Sequence, residues 1–118
     1  IAFTIGSPYS LDKYNALTNV KLFEDFISYL KLNKINVTLL LLPYNPITYD
    51  LLLEAKKYNH ILIAEEYLIN YAKLNGIILK GSYNPHNYNL SNQDFYDGVH
   101  GRDSVLIKIF KPTLWNKN

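Results

Sequence analysis

Apolar and polar positions alternate along the chain in two distinct rhythms. Ile1 to Ile5 is apolar and β-branched and runs into Gly6-Ser7-Pro8, which predicts a strand followed by a turn. Leu17, Val20, Phe23, Phe26, Ile27 and Leu30 then recur at three- and four-residue steps. That spacing predicts a helix over about Leu11 to Leu32, with Ser10 as its N-cap and Asn33-Lys34 as its break. Ile35 to Leu42 has no alternation, because Val37, Leu39, Leu40, Leu41 and Leu42 are nearly continuous. A strand covered on both faces, as in a parallel sheet flanked by helices, reads this way.

Pro43-Tyr44-Asn45-Pro46 ends that strand. Thr48 is read as the N-cap of a helix through Leu51, Leu52, Ala55 and Tyr58, and a second helix covers Ile61 to Leu74, stopped by Asn75-Gly76. Ile77 to Lys80 is a short strand, and Gly81 to Gln93 a polar loop rich in Asn, Tyr, Pro and Ser. A last helix spans Arg102 to Phe110. The order is strand, helix, strand, helix pair, strand, helix. It predicts one α/β domain over residues 1–118, with a parallel sheet near 1–6, 35–42 and 77–80 and right-handed crossovers.

Composition narrows the function classes. With 118 residues and 48% apolar content, the chain has the size and make-up of one globular domain. Its net charge of +2 makes no electrostatic case for nucleic acid or an anionic membrane. The absence of Cys removes disulfides, thiolate metal sites and a cysteine nucleophile. The longest apolar run, Val37 to Pro43 with Thr38 inside it, is far below the ~20 residues a membrane span needs. No targeting segment is read, so localisation stays unassigned. There is no Met, and three strands are few for a doubly wound sheet. Both features lead us to expect the C-terminal part of a larger α/β domain, with an exposed sheet edge open to self-association.

In an open parallel sheet, ligands gather beyond the carboxyl ends of the strands. Three loops fall there: Gly6 to Ser10, Pro43 to Pro46, and the stretch from Gly81 to Gly101. The last contains Asp94-Phe95-Tyr96-Asp97-Gly98-Val99-His100. An Asp three residues before a His, in a turn containing Gly98, can reach the imidazole, fix its tautomer and support a positive ring during proton transfer. The plainer reading of the same residues is an Asp that caps a turn and a His satisfied at a helix start.

The Asp97-Gly98-Val99-His100 block, preceded by Asp94-Phe95-Tyr96 and followed by a helix, resembles the SGNH (GDSL-like) hydrolase superfamily. The resemblance implies a three-layer α/β/α domain of flavodoxin-like topology. It also implies that Asp97 and His100 are two members of a Ser-His-Asp triad acting on an O-acyl ester, small or borne on a glycan, without a cofactor. Neither a Gly-Asp-Ser nucleophile block nor a Gly-x-Asn-Asp block is present. The nucleophilic serine is therefore expected upstream of Ile1, which would leave this chain inactive by itself, and Ser7 is read first as a turn serine beside the cleft.

Ser7, Tyr9, Tyr44 and Asn45 are the candidate substrate-binding residues. Tyr9, Tyr44, Tyr83 and Tyr96 lie in strand-end loops where they could wall a carbohydrate or acyl site. His60 reads as a surface or helix-end residue. His86, Asp94, Asp97 and His100 match no ligand spacing, so no metal is assigned. Lys56-Lys57 and Glu65-Glu66 read as solvated helix faces. The competing class is a non-catalytic binding or structural module that keeps the fold and uses its tyrosine-rich loops as a contact surface. A nucleotide-binding domain lacks the Gly-rich phosphate loop it would need.

Overall fold

In a computed structural model of the chain, residues 19–55 and 60–114 are described. Four helices and two strands follow one another as α1 (Val20–Leu32), β1 (Thr38–Leu41), α2 (Pro46–Glu54), α3 (His60–Leu74), β2 (Ile78–Gly81) and α4 (Asp103–Leu114). Between β2 and α4 lie two 3-10 turns, Pro85–Tyr88 and Asn92–Asp94. The expected first strand, the Ser10 cap and the beginning of the first helix lie outside the described residues.

β1 and β2 pair in parallel, Thr38 beside Ile78 through Leu41 beside Gly81, with α2 and α3 forming the crossover between them. The chain is thus a mixed α/β fold with a small parallel sheet, as the alternation of elements predicts. The helices preceding the two strands end alike. After α1, Lys34 takes a left-handed φ of 59°, and the Lys34 and Ile35 N–H groups donate back to the Lys31 and Leu30 carbonyls. After α3, Gly76 has φ 63° and the Gly76 and Ile77 N–H groups return to Lys73 and Ala72. Both are Schellman exits, which satisfy the last helical carbonyls and turn the chain into its strand.

α1 lies against α3. Phe23 meets Tyr67 and Tyr71 edge-on at 6.4 and 5.3 Å, the Tyr67 hydroxyl donates to Glu24 at 2.5 Å, and Lys31 Nζ donates to the Asn75 carbonyl at 2.8 Å. A second cluster forms where Leu90 and Phe95 pack on Val105 and Ile109 of α4, flanked by Tyr88 and Phe110. The stretch carrying Asp97 and His100 is therefore mounted on α4 by its own apolar core.

Three sequence expectations shift. Ladder pairing covers Thr38–Leu41 rather than all of 35–42, and β1 is not covered on both faces: Leu41 is buried, whereas Leu40 stays 39% exposed. Its leucines run continuously, but the described helices cover one side only. The cap of α2 is Asn45, not Thr48. Pro46 occupies the first helical turn, where its missing N–H costs nothing, and Asn45 Oδ1 accepts the Ile47 N–H at 2.9 Å.

Candidate active site

The loop after β2 is closed at its base by Asp94. The Asp94 side chain is buried, accepting from Ser104 Oγ at 2.6 Å, from the Ser91 N–H at 2.9 Å and from Lys108 Nζ at 3.0 Å. Its carbonyl accepts the Arg102 N–H at 2.7 Å. Burial works against the Asp94 charge, but the Ser104 hydroxyl, the Ser91 N–H and the Lys108 ammonium outweigh it and hold the carboxyl at about 2. Next along the chain, Phe95 bridges Gly101 in antiparallel fashion and the Tyr96 N–H donates to the His100 carbonyl at 2.8 Å. Residues 96–100 thus project as a clamped turn.

Inside that turn, Asp97 Oδ1 accepts the Val99 N–H at 2.9 Å and the His100 N–H at 2.7 Å. Its Oδ2 lies 2.6 Å from His100 Nδ1. Asp97 caps the turn with one oxygen and meets the imidazole with the other. The Val99 N–H, the His100 ring and the His100 N–H, in that order, hold the Asp97 carboxyl at about 2. A carboxylate ionised at neutral pH can only accept. The proton it meets must sit on Nδ1, so in the neutral ring Nε2 carries the free lone pair. The His100 side chain is 74% exposed, which leaves that nitrogen accessible.

The remaining sequence candidates divide. Ser7 and Tyr9 lie outside the described residues. Asn45 comes directly to the turn, with Nδ2 donating to the Asp97 carbonyl at 3.1 Å and the Asn45 N–H donating to the Gly98 carbonyl at 3.2 Å. Tyr44 belongs to an aromatic group with Tyr83 and Tyr49, at centroid distances of 6.1 and 6.5 Å, and burial raises its hydroxyl pKa. Tyr96 is exposed and carries the Arg102 guanidinium over its ring at 4.3 Å. A small cavity of about 140 Å³ opens beside the turn, between Leu42 and Pro43 on one side and Val99, Arg102 and Leu106 on the other.

His86 does not join the site: its Nε2 pairs with Asp50 at 2.8 Å. Asp94 is committed to Ser104 and Lys108, so these two do not converge with Asp97 and His100 on a shared point. Among the described residues no group of three or more His, Cys, Asp or Glu side chains is arranged to hold a metal ion. No described helix is long and apolar enough to cross a membrane.

Two supporting residues escaped the sequence reading. Asp94 was legible as part of the motif but not as its clamp. Glu65, expected on a solvated helix face, instead accepts Ser82 Oγ at 2.8 Å and the Tyr83 N–H at 2.7 Å, fixing the turn after β2 to α3. Glu65 works through partners distant in the chain, which no local pattern marks, whereas the Ser91-x-x-Asp94 spacing of a capping box is a local signal for Asp94. No protein-family model, curated protein or solved structure matches the chain.

Proposed function

We propose that Asp97 and His100 are the acid and base of an SGNH-type hydrolase or acyltransferase acting on an O-acyl ester. The nucleophilic serine is supplied from upstream of Ile1, and the complete domain takes the three-layer α/β/α, flavodoxin-like arrangement. One observation carries this reading: Asp97 Oδ2 stands 2.6 Å from His100 Nδ1, and the rest of the ring is open to solvent. In that role Nε2 removes the serine proton during attack on the acyl carbon. Asp97 stabilises the resulting imidazolium, and the ring then returns the proton to the departing alkoxide. With water as second acceptor the outcome is hydrolysis; with a sugar hydroxyl it is acyl transfer.

The position of the pair, beyond the carboxyl end of β2 and beside that of β1, is where open parallel sheets bind ligands. The test is turnover of a chromogenic acetyl ester by the chain joined to its native upstream sequence. Turnover abolished by His100→Ala supports the reading. Silence from every acyl chain length moves the weight to a non-catalytic module that uses the tyrosine-rich loops for contact.

A further inference from the structure

We propose that Asn45 is a positioning residue for His100: its side-chain amide ties the Asp97 turn to the start of α2 and so fixes where the imidazole stands. Asn45 is 1% exposed and is one of the largest fully buried side chains of the described residues. All of its polar atoms are used. Oδ1 accepts the Ile47 N–H at 2.9 Å, and the Asn45 carbonyl accepts the Tyr49 N–H at 2.9 Å; these two bonds begin α2. The other three bonds leave the helix. Nδ2 donates to Asn92 Oδ1 at 2.8 Å and to the Asp97 carbonyl at 3.1 Å, and the backbone N–H donates to the Gly98 carbonyl at 3.2 Å. They span 47 and 52 residues of sequence for the two side-chain bonds.

The orientation of the amide follows from its partners. Ile47 offers an N–H and Asp97 a carbonyl, so the oxygen must face Ile47 and the nitrogen Asp97. Capping alone would not require an asparagine, because Ser, Thr and Asp cap a helix about as well. What asparagine adds is a pair of donors on the same side chain as the capping acceptor. One reaches the Asp97 carbonyl on the clamped turn and the other the Asn92 side chain just before it. Being fully engaged within the protein, this amide holds the turn and does not reach substrate.

Asn45→Asp separates the two roles. The carboxylate keeps an acceptor for the Ile47 N–H and favours the helix N-terminus. It places negative charge against Asn92 Oδ1 and the Asp97 carbonyl, where donors stood. The experiment uses the chain with its native upstream sequence, reading 15N relaxation and acetyl-ester kinetics on the same samples. The expected result is α2 amides unchanged, with order parameters of residues 97–100 falling from about 0.85 to below about 0.6. Turnover should fall by about a hundredfold in kcat with KM little changed, since a misplaced base loses rate before binding.

Rigid residues 97–100 in Asn45→Asp would overturn the tether whatever the activity. Loosened residues 97–100 in a protein whose wild type turns over no ester would leave the tether standing and reject the hydrolase reading on which its catalytic consequence rests. Should Asn45→Asp not fold, Asn92→Ala at an exposed position removes one of the two acceptors of the Asn45 amide. It is expected to loosen the same residues to a smaller degree, and an unchanged turn there would equally overturn the proposal.

Discussion

Asp97 holds His100 at two points: Oδ1 takes the His100 backbone N–H at 2.7 Å, and Oδ2 meets ring Nδ1 at 2.6 Å. A carboxylate bonded to both the main chain and the ring of one residue fixes where the imidazole stands and which nitrogen it presents. Replacing Asp97 by Asn removes the charge and offers donors where acceptors stood. In the full-length protein, Asp97→Asn is expected to lower kcat on an acetyl ester by about 10²–10⁴-fold, if the proposed hydrolase function holds. Steady-state kinetics beside the wild type check this, and undiminished kcat would contradict it.

Asp94 should contribute to the acid side of the stability curve, beside Asp97, whose carboxyl is held equally low. The folded Asp94 carboxyl stands at about 2, below the ordinary 3.8. A depressed carboxylate stabilises the fold fully above its unfolded value, and the contribution disappears as pH falls through the folded value. Stability is therefore expected to drop between about pH 4 and pH 2, by on the order of 2 kcal/mol for this group. In Asp94→Asn the loss appears already at neutral pH and the acid slope flattens. Urea midpoints at pH 7, 4 and 2.5 read both effects.

Gly81 ends β2 with φ +84°, and a Cβ there would run into the backbone carbonyl of Leu41 on the paired strand. Gly81→Ala meets a strained φ and a backbone clash together, and neither can relax without breaking the last rung of the ladder. The expected cost is about 3 kcal/mol. Gly76→Ala is the control: its φ is also left-handed, but its Cβ would meet nothing. It should cost about 1 kcal/mol. Equal urea midpoints for the two variants would contradict the close approach at Gly81.

Phe95 and Tyr96 are adjacent in the chain and opposite in consequence. Phe95 is 4% exposed in the cluster with Leu90, Val105 and Ile109, whereas Tyr96 is 60% exposed with the Arg102 guanidinium over its ring. Phe95→Ala should cost about 3–5 kcal/mol, and Tyr96→Ala no more than about 1 kcal/mol. Chemical denaturation of the two single variants decides whether the Asp97 turn is anchored through its inner face.

What could be read from the sequence was local. Asp97 and His100 stand three residues apart around Gly98, so their contact depends on one turn and little else. α3 is delimited by its own apolar positions and by Asn75-Gly76, and its observed bounds lie within a residue of expectation. Asn45, Glu65 and Asp94 were not legible in their supporting roles. Asn45 and Glu65 reach residues 17 to 52 positions away, and Asp94 adds Ser104 and Lys108, 10 and 14 positions away, to its local capping bond with Ser91; side chains that reach across the fold leave no periodicity. The α2 start was misplaced for a nearer reason: Pro46 is itself the signal, favouring Asn45 as cap over Thr48. β1 was expected to be covered twice because its leucines are continuous, yet apolar content reports which faces avoid water and not what covers them.

The catalytic reading depends on which imidazole nitrogen of His100 carries the proton. Long-range 1H–15N correlation spectra at neutral pH, on protein labelled at histidine, report this directly. A protonated Nδ1 and a bare Nε2 in the wild type, with the preference lost in Asp97→Asn, is the expected result. A proton on Nε2 in the wild type would leave no lone pair facing the solvent side of the ring and would contradict His100 as the base.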